Sequence, residues 1–249
     1  MTHQMTLLAK GRYVARIAET AGDLQAAQAL RGACFSTDGP DADRFDSLCR
    51  HILIEEKASG RLMCCFRMLV LQHAHQIAES YSAQFYDLAA LGSVQGGCAE
   101  VGRFCIREGV IADPDILRMA WGAITAIVDA ENLQLLFGCS SFKGTDVTPY
   151  IDSFNLLKAR HLAPLPLRPR IKAPMVFGFC DLPCQAPDLR AGMRAMPPLL
   201  RTYLLMGGWV SDHAVVDEAL NTLHVFTAVE VDAIPETRKR LLRAVAETA

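Results

Sequence analysis

The chain has 249 residues, 51% hydrophobic and 21% charged, and 25 Lys+Arg against 27 Asp+Glu leave a net charge of −2. This excludes an acidic disordered chain and a strongly basic nucleic-acid binder, so any cationic surface is local. The apolar content supplies one large core or two small ones. The opening MTHQMTLLAK lacks the charged start, apolar run and cleavage site of a secretory leader. No apolar stretch approaches the ~18 residues that a spanning helix needs. The chain therefore reads as cytoplasmic, with at most peripheral contact with the inner membrane.

In chain order, Tyr13 to Glu19 alternates apolar and polar residues and predicts a strand. Asp23 to Phe35 places Leu24, Ala27, Leu30, Arg31 and Cys34 at helical spacing behind an Asp cap. His51 to Glu56 and Arg61 to Leu71 form a hairpin around Ala58-Ser59-Gly60, and the second strand, apolar on both faces, is central. Ala99 to Ile106 is another strand. Asp113-Pro114 opens a helix through about Glu131, followed by a buried strand from Leu133 to Ser141 and a helix near Pro149 to Arg160. Six of the twelve prolines fall between Ala163 and Pro187, which predicts a long irregular excursion. A short helix around Pro198 to Met206, a strand near Leu223 to Val231 and a charged helix from Pro235 complete an α/β or α+β pattern.

Three charged clusters stand out. Asp38, Asp41, Asp43 and Asp46 share a loop with Gly39 and Pro40; mutually repelling carboxylates suit an ammonium ligand, unless the loop is merely solvated. Glu100 and Arg103 lie in the strand AEVGRFCIR, with Arg67 in the strand before it. The odd spacing puts Glu100 and Arg103 on opposite faces unless a bulge at Gly102 re-aims one of them. A charge in so apolar a strand needs a partner or a job, and Arg67 could be Glu100's partner in a buried ion pair. Lys158, Arg160, Arg168, Arg170 and Lys172 form a basic stretch with no acid from 153 to 180, continued by Arg190, Arg194 and Arg201. It fits an acidic partner, an anionic leaflet or a solvated face.

Other signals fail. Gly138-Cys139-Ser140-Ser141-Phe142 lacks the second glycine of a nucleophile elbow. No GxGxxG, phosphate-binding GxxxxGK[ST] or HExxH occurs. The nine cysteines include no CxxC, and Cys180-x-x-x-Cys184 is the nearest approach to a metal clip, so reduced, mostly buried thiols and no metal are expected.

The order and spacing of Arg31-x-x-x-Phe35, Asp43-x-x-Asp46, Arg67 and Glu100-x-x-Arg103 resemble the acyl-homoserine-lactone synthases, which have the GNAT acyltransferase fold. The GCSSF end of the strand at 138–142 and the block PPLLRTYLLMGGWVSDHAVVD at 197–217 resemble the ornithine N-acyltransferases more closely. That resemblance implies one GNAT-like domain over 10–232, interrupted by the proline-rich excursion at about 163–187, with a charged C-terminal helix over 233–249. It implies a central mixed twisted sheet flanked by helices.

It also implies transfer of a 3-hydroxyacyl group from acyl carrier protein to the α-amine of L-ornithine, giving lyso-ornithine lipid. The carrier-bound thioester would be a co-substrate, with no other cofactor. Glu100 and Arg103 would be catalytic, with Glu100 taking the amine's proton directly or through a water. Arg31, Phe35, Asp43, Asp46 and Arg67 would bind substrate, Asp43 and Asp46 through its ammonium groups, while the arginines hold its carboxylate or brace the acidic loop. Arg160, Arg168, Arg170 and Lys172 would meet the acidic carrier protein. The turn after Ile106 lacks the pyrophosphate loop of coenzyme A-using GNAT enzymes. The alternatives are a lactone synthase using S-adenosylmethionine and a non-catalytic acyl- or carrier-binding module on the same fold.

Overall fold

A computed structural model describes residues 5–183, 186 and 188–246. Its strands are β1 (Thr6–Lys10), β2 (Tyr13–Ile17), β3 (Arg50–Glu56), β4 (Leu62–Leu71), β5 (Tyr86–Asp87), β6 (Gly97–Ile106), β7 (Leu133–Lys143), β8 (Arg170–Ile171), β9 (Val176–Gly178), β10 (Trp209–Val210), β11 (His213–Asp217) and β12 (Thr222–Glu230). Its helices are α1 (Ala21–Phe35), α2 (Pro114–Ala130), α3 (Ile151–Arg160), α4 (Leu189–Ala195), α5 (Pro198–Leu205) and α6 (Glu236–Ala246). This is the mixed α/β class expected. The chain divides into two compact units, Met1–Val70 with Val101–Leu133 and Pro235–Ala249, and Leu71–Glu100 with Gln134–Ile234.

In the first unit the strand order is β1-β2-β3-β4-β6. β1 to β4 pair antiparallel through registers such as Lys10↔Tyr13, Ile17↔Ile52 and Ile52↔Phe66. The Arg107 amide donates to the Met63 carbonyl at 2.8 Å where β6 runs out beside β4. As its two-faced apolar sequence requires, β4 is buried at nearly every position. α1 covers part of the sheet, packing Ala27 and Leu30 on Leu53, Cys65 and Cys105. Its cap is Thr20 and not Asp23: Asp23 is the third residue of the helix, and the two side chains bond each other's backbone amides in a capping box. α2 starts as predicted, with Asp113 as cap and Pro114 in the first turn. α6 packs on α2 where Gly122 leaves room; a Cβ there would lie 2.7 Å from Val245 Cγ1 and 3.0 Å from Leu8 Cδ2.

In the second unit the run is β7-β12-β11-β9, with β10 also on β12. β7 and β12 form a long antiparallel ladder from Lys143↔Thr222 to Leu135↔Glu230. Phe142, Phe154, Phe179, Leu200 and Val225 share one core. The proline-rich excursion is irregular, as expected, yet it anchors at two points: β8 pairs with β5, and β9 extends the sheet beyond β11. α4, which the sequence pattern does not predict, lies so close to α3 that a Cβ on Gly192 would meet the Asp152 carbonyl oxygen at 2.8 Å. Among the described residues no helix is long and apolar enough to cross a membrane.

Candidate active site

The acidic loop is shaped by the end of α1. Ser36 leaves the helix in the left-handed region at φ 56°, and the Thr37 amide returns to the Gly32 carbonyl at 3.0 Å. The chain then doubles back so tightly that a Cβ on Gly32 would lie 2.1 Å from the Gly39 carbonyl oxygen, so only glycine fits there. The Asp41 amide bonds the Gln28 carbonyl at 3.0 Å, which sets the loop's carboxylates over Arg31.

These carboxylates meet three arginines in a closed ring of alternating charge. Arg31 donates from Nε to Asp41 at 2.7 Å and from Nη1 to Asp46 at 2.8 Å. Arg67, from β4, reaches Asp46 and Asp43 at 2.5 Å each. Arg103, from β6, closes the circle with Asp43 at 3.0 Å and Asp41 at 2.9 Å. The charges of the six side chains sum to zero, which offsets the desolvation that burying any one alone would cost. Burial pushes the Asp46 carboxyl up, but hydrogen bonds from Arg31, Gln28 and Arg67 outweigh it and hold the group well below the usual carboxylate range. Asp43 is likewise lowered, Arg67 and Arg103 overcoming its desolvation. Burial lowers the His51 imidazole, whose Nε2 lies 2.9 Å from the Asp46 carbonyl oxygen.

The structure therefore brings Arg31, Asp43, Asp46, Arg67 and Arg103 together as expected, and adds Asp41. Each of the three carboxylates Asp41, Asp43 and Asp46 bonds two of the arginines. Arg31 is 1% exposed and all three of its side-chain nitrogens bond aspartate, which makes it a brace of the loop. Asp43 keeps the most open side chain of the ring's carboxylates, at 21%. Phe35 is half-buried beneath Arg103, whose Cζ lies 5.7 Å from the ring centroid.

Arg103 also resolves the odd spacing. It is left-handed at φ 53°, so the irregularity in β6 falls on Arg103 itself and not on Gly102. A bulky residue in that region is strained, and the ring holds it there.

Glu100, three residues earlier on β6, lies in the second unit and is 6% exposed. Its Oε2 accepts from the Tyr81 amide at 2.8 Å, and its Oε1 accepts from the Ser82 amide at 2.7 Å and the Ser82 hydroxyl at 2.5 Å. Those donors open the short 3-10 turn Ser82–Gln84. Ser82 Oγ in turn lies 3.3 Å from Cys139 Sγ, which joins a half-open thiol, a hydroxyl and a carboxylate in one line. The sequence reading missed Tyr81 and Ser82; the only local signal was Ser80, whose hydroxyl accepts from the Ala83 amide as turn-forming serines do.

The basic stretch is divided. Arg168 turns back onto the Ala163 carbonyl at 3.0 Å, and Lys172 donates to the Ala83 carbonyl at 2.6 Å, pinning the turn that holds Glu100. Lys172 is nonetheless exposed, and Arg168 is half-buried. Arg160 and Arg170 stay exposed. The eight described cysteines carry free thiols, and Cys184 lies outside the described residues.

Residues 27–121 match the family model described as an acetyltransferase (GNAT) domain. The chain is 33% identical, over 91% of its length and 93% of the other's, to the L-ornithine N(alpha)-acyltransferase of Rhodobacter capsulatus. It is 27% identical to the protein of the same name from Brucella abortus, over 90% of this chain and 86% of that one. Among solved structures it is similar to FeeM, an N-acyl amino acid synthase from uncultured soil microbes, at 13% identity and a TM-score of 0.52 over 89% of this chain and 91% of that one. It is also similar to the loading GNATL domain of CurA from Lyngbya majuscula, at 10% identity and a TM-score of 0.51 over 89% and 99%. These two likenesses bear on the fold.

Proposed function

Because the chain belongs to the L-ornithine N(alpha)-acyltransferase family and is an N-acyltransferase, we propose that it transfers a 3-hydroxyacyl group from acyl carrier protein to the α-amine of L-ornithine. The observation that carries the reaction and its acceptor is the match along nine-tenths of both chains to an enzyme of that name. The product is an N-acylornithine, the lyso form of an ornithine lipid, and the spent carrier leaves as free thiol.

In the reaction the α-ammonium loses a proton, the neutral amine attacks the thioester carbonyl, and the C–S bond breaks as the amide forms. Glu100 is the group we assign to take that proton, directly or through a water. What supports the assignment is a carboxylate fixed by three donors, one of them a hydroxyl that leads toward the half-open Cys139. Backbone amides around the left-handed Arg103 are the groups we assign to the developing oxyanion, since a residue out of the β region breaks the ladder locally. Asp41 and Asp43 position Arg103 directly, and Arg31, Arg67 and Asp46 hold those two carboxylates in turn. Arg160 and Arg170 remain for the acidic carrier protein or an anionic membrane surface.

The test is to incubate the purified chain with 3-hydroxyacyl carrier protein and L-ornithine, following thiol release and the acylated amino acid by mass spectrometry. Ornithine-dependent thiol release with N-acylornithine formed supports the reading. Thioester binding without turnover would make the chain a binding module. Turnover only with S-adenosylmethionine as acceptor would make it a lactone synthase.

A further inference from the structure

Residues 189–211 carry Arg190, Arg194 and Arg201 and no Asp or Glu. The flanking acid, Asp188, is engaged as the cap of α4, accepting from the Arg190 and Ala191 amides at 2.8 and 3.0 Å. α4 turns Gly192 toward α3, where a Cβ would meet the Asp152 carbonyl oxygen. Arg190 and Arg194, two residues to either side of that glycine, fall on the opposite side of the helix and are exposed.

α5 seats Leu200, Tyr203 and Leu204 in the interior. Arg201 and Leu205, one turn apart, share a face that those three leave unused. The two helices meet there, since Nη1 of Arg201 reaches the Met193 carbonyl at 3.5 Å. Around this contact three large apolar side chains stay out of the core: Leu189 at 42% exposure, Met193 at 37% and Leu205 at 54%. Single exposed apolar residues are ordinary, but three on adjoining helix faces, beside three arginines in a run without acid, make a surface of mixed character.

Between these helices and the end of β7 lies a cleft of about 340 Å³. Lys143, Arg194 and Arg201 line it, no Asp or Glu does so among the described residues, and the almost fully buried Phe142 and Met196 close its base. Phe142 and Cys139 are an odd number of residues apart on β7 and face opposite sides of the sheet, so the cleft is separate from the line of groups that leads to Glu100. Its volume is at the low end for small-molecule sites and takes one small anion with a few carbons attached.

We propose that the α4–α5 face docks on an anionic membrane leaflet, with a lipid headgroup phosphate held between Lys143, Arg194 and Arg201 and with Leu189, Met193 and Leu205 entering the interface. Cations beside protruding apolar side chains match both layers of such a surface, the phosphates and the edge of the acyl region. For the proposed reaction this gives a one-chained, sparingly soluble product a place to leave the protein. That use rests on the acyltransferase reading, whereas the docking itself needs no turnover.

The test sediments the full chain with vesicles of phosphatidylcholine alone and with vesicles that also contain phosphatidylglycerol. Binding is expected to the anionic vesicles only. Arg194→Ala with Arg201→Ala should weaken it on the order of tenfold, and high salt should do the same to the wild type. Leu205→Ser should weaken it further at any salt concentration, because it removes apolar contact and not charge. Melting temperatures are checked first, and if the double variant melts lower, Lys143→Gln, on an exposed side chain, replaces it under the same criteria. Arg160→Ala with Arg170→Ala, exposed arginines outside the cleft, is the control and should bind as the wild type does.

No binding to either vesicle overturns the proposal, as does an equal loss in the control variant, which would reduce the effect to diffuse attraction of charge. Binding that ignores Leu205→Ser also overturns it, since nothing then enters the interface. If the double variant binds vesicles normally but shows a raised KM for acyl carrier protein, the face belongs to that protein and the proposal falls. Vesicle binding by a chain that turns over no donor would keep the surface and remove the proposed reaction, and ornithine acylation by a chain that ignores vesicles would do the reverse.

Discussion

Arg31 and Arg103 reach the same atom: Oδ2 of Asp41 accepts from the Nε of Arg31 at 2.7 Å and from the Nε of Arg103 at 2.9 Å. One arginine comes from α1 and the other from the irregular point of β6, so a single oxygen ties the helix to the strand. Asp43 and Asp46 repeat the arrangement with Arg67, and the loop cannot shift without breaking several charge-assisted bonds together.

Replacing Asp46 by Asn is expected to destabilise the protein by ~3–5 kcal/mol, because it leaves Arg31 and Arg67 sharing a deficit in a buried site. At this chain length that lowers the melting temperature by roughly 10 °C. Calorimetry checks it. A rise in the KM for ornithine alone, with unchanged melting, would make Asp46 a ligand instead of a brace.

The pH dependence follows from Asp43 and Asp46, both held below their ordinary range in the fold. In the unfolded chain they titrate near ~3.9, so below about pH 4 the unfolded state binds more protons than the native one. Their contribution is complete above that pH and is lost as the pH falls toward the folded values. Urea midpoints measured between pH 6 and pH 3 should fall toward acid, and the Asp46→Asn variant should show a shallower fall. An identical slope in the two proteins would remove the ring from the acid limb.

Glu100→Gln keeps the shape and one acceptor oxygen for Ser82 but removes the base. Turnover at neutral pH is expected to drop ~10²-fold or more with the fold intact. Thiol release and a melting curve on the same preparation decide it. Near-normal turnover would reduce Glu100 to an anchor for the Tyr81–Ser82 turn.

For the carrier protein, the geometry directs the charge swap to Arg160 and Arg170, because Arg168 and Lys172 bond internal carbonyls. Arg160→Glu with Arg170→Glu should raise the KM for acyl carrier protein about tenfold and leave that for ornithine unchanged, and high salt should mimic it on the wild type. Lost binding to anionic vesicles with an unchanged carrier KM would give this face to the membrane. No change in either would make it a solvated face.

Long periodic segments were legible before any coordinates. The stripe of α2, the two-faced β4 and the buried β7 are where the pattern places them, because burial dictates each of their residues. β11 and α4 were not. HAVVD is a short run behind polar Ser211-Asp212, and α4 lies between Pro187 and Pro197 with Gly192 at its centre, where propensity argues against a helix and packing on α3 overrides it. At the site, the sequence named the charges without their pairing. Which aspartate meets which arginine depends on the return of the loop at Gly32 and on the left-handed Arg103, and neither leaves a periodic trace. Tyr81 and Ser82 act through backbone amides, which any residue type supplies.

The ring is an even cycle, and that parity governs how it can change. Deleting one member sets two like charges side by side, whereas deleting two neighbours of opposite sign leaves a balanced string of four. Asp46 and Arg67 are therefore expected to be lost more easily as a couple than singly. Mutational drift across this part of the protein should proceed in coupled steps, and a library of single substitutions would score as forbidden some combinations that the fold tolerates.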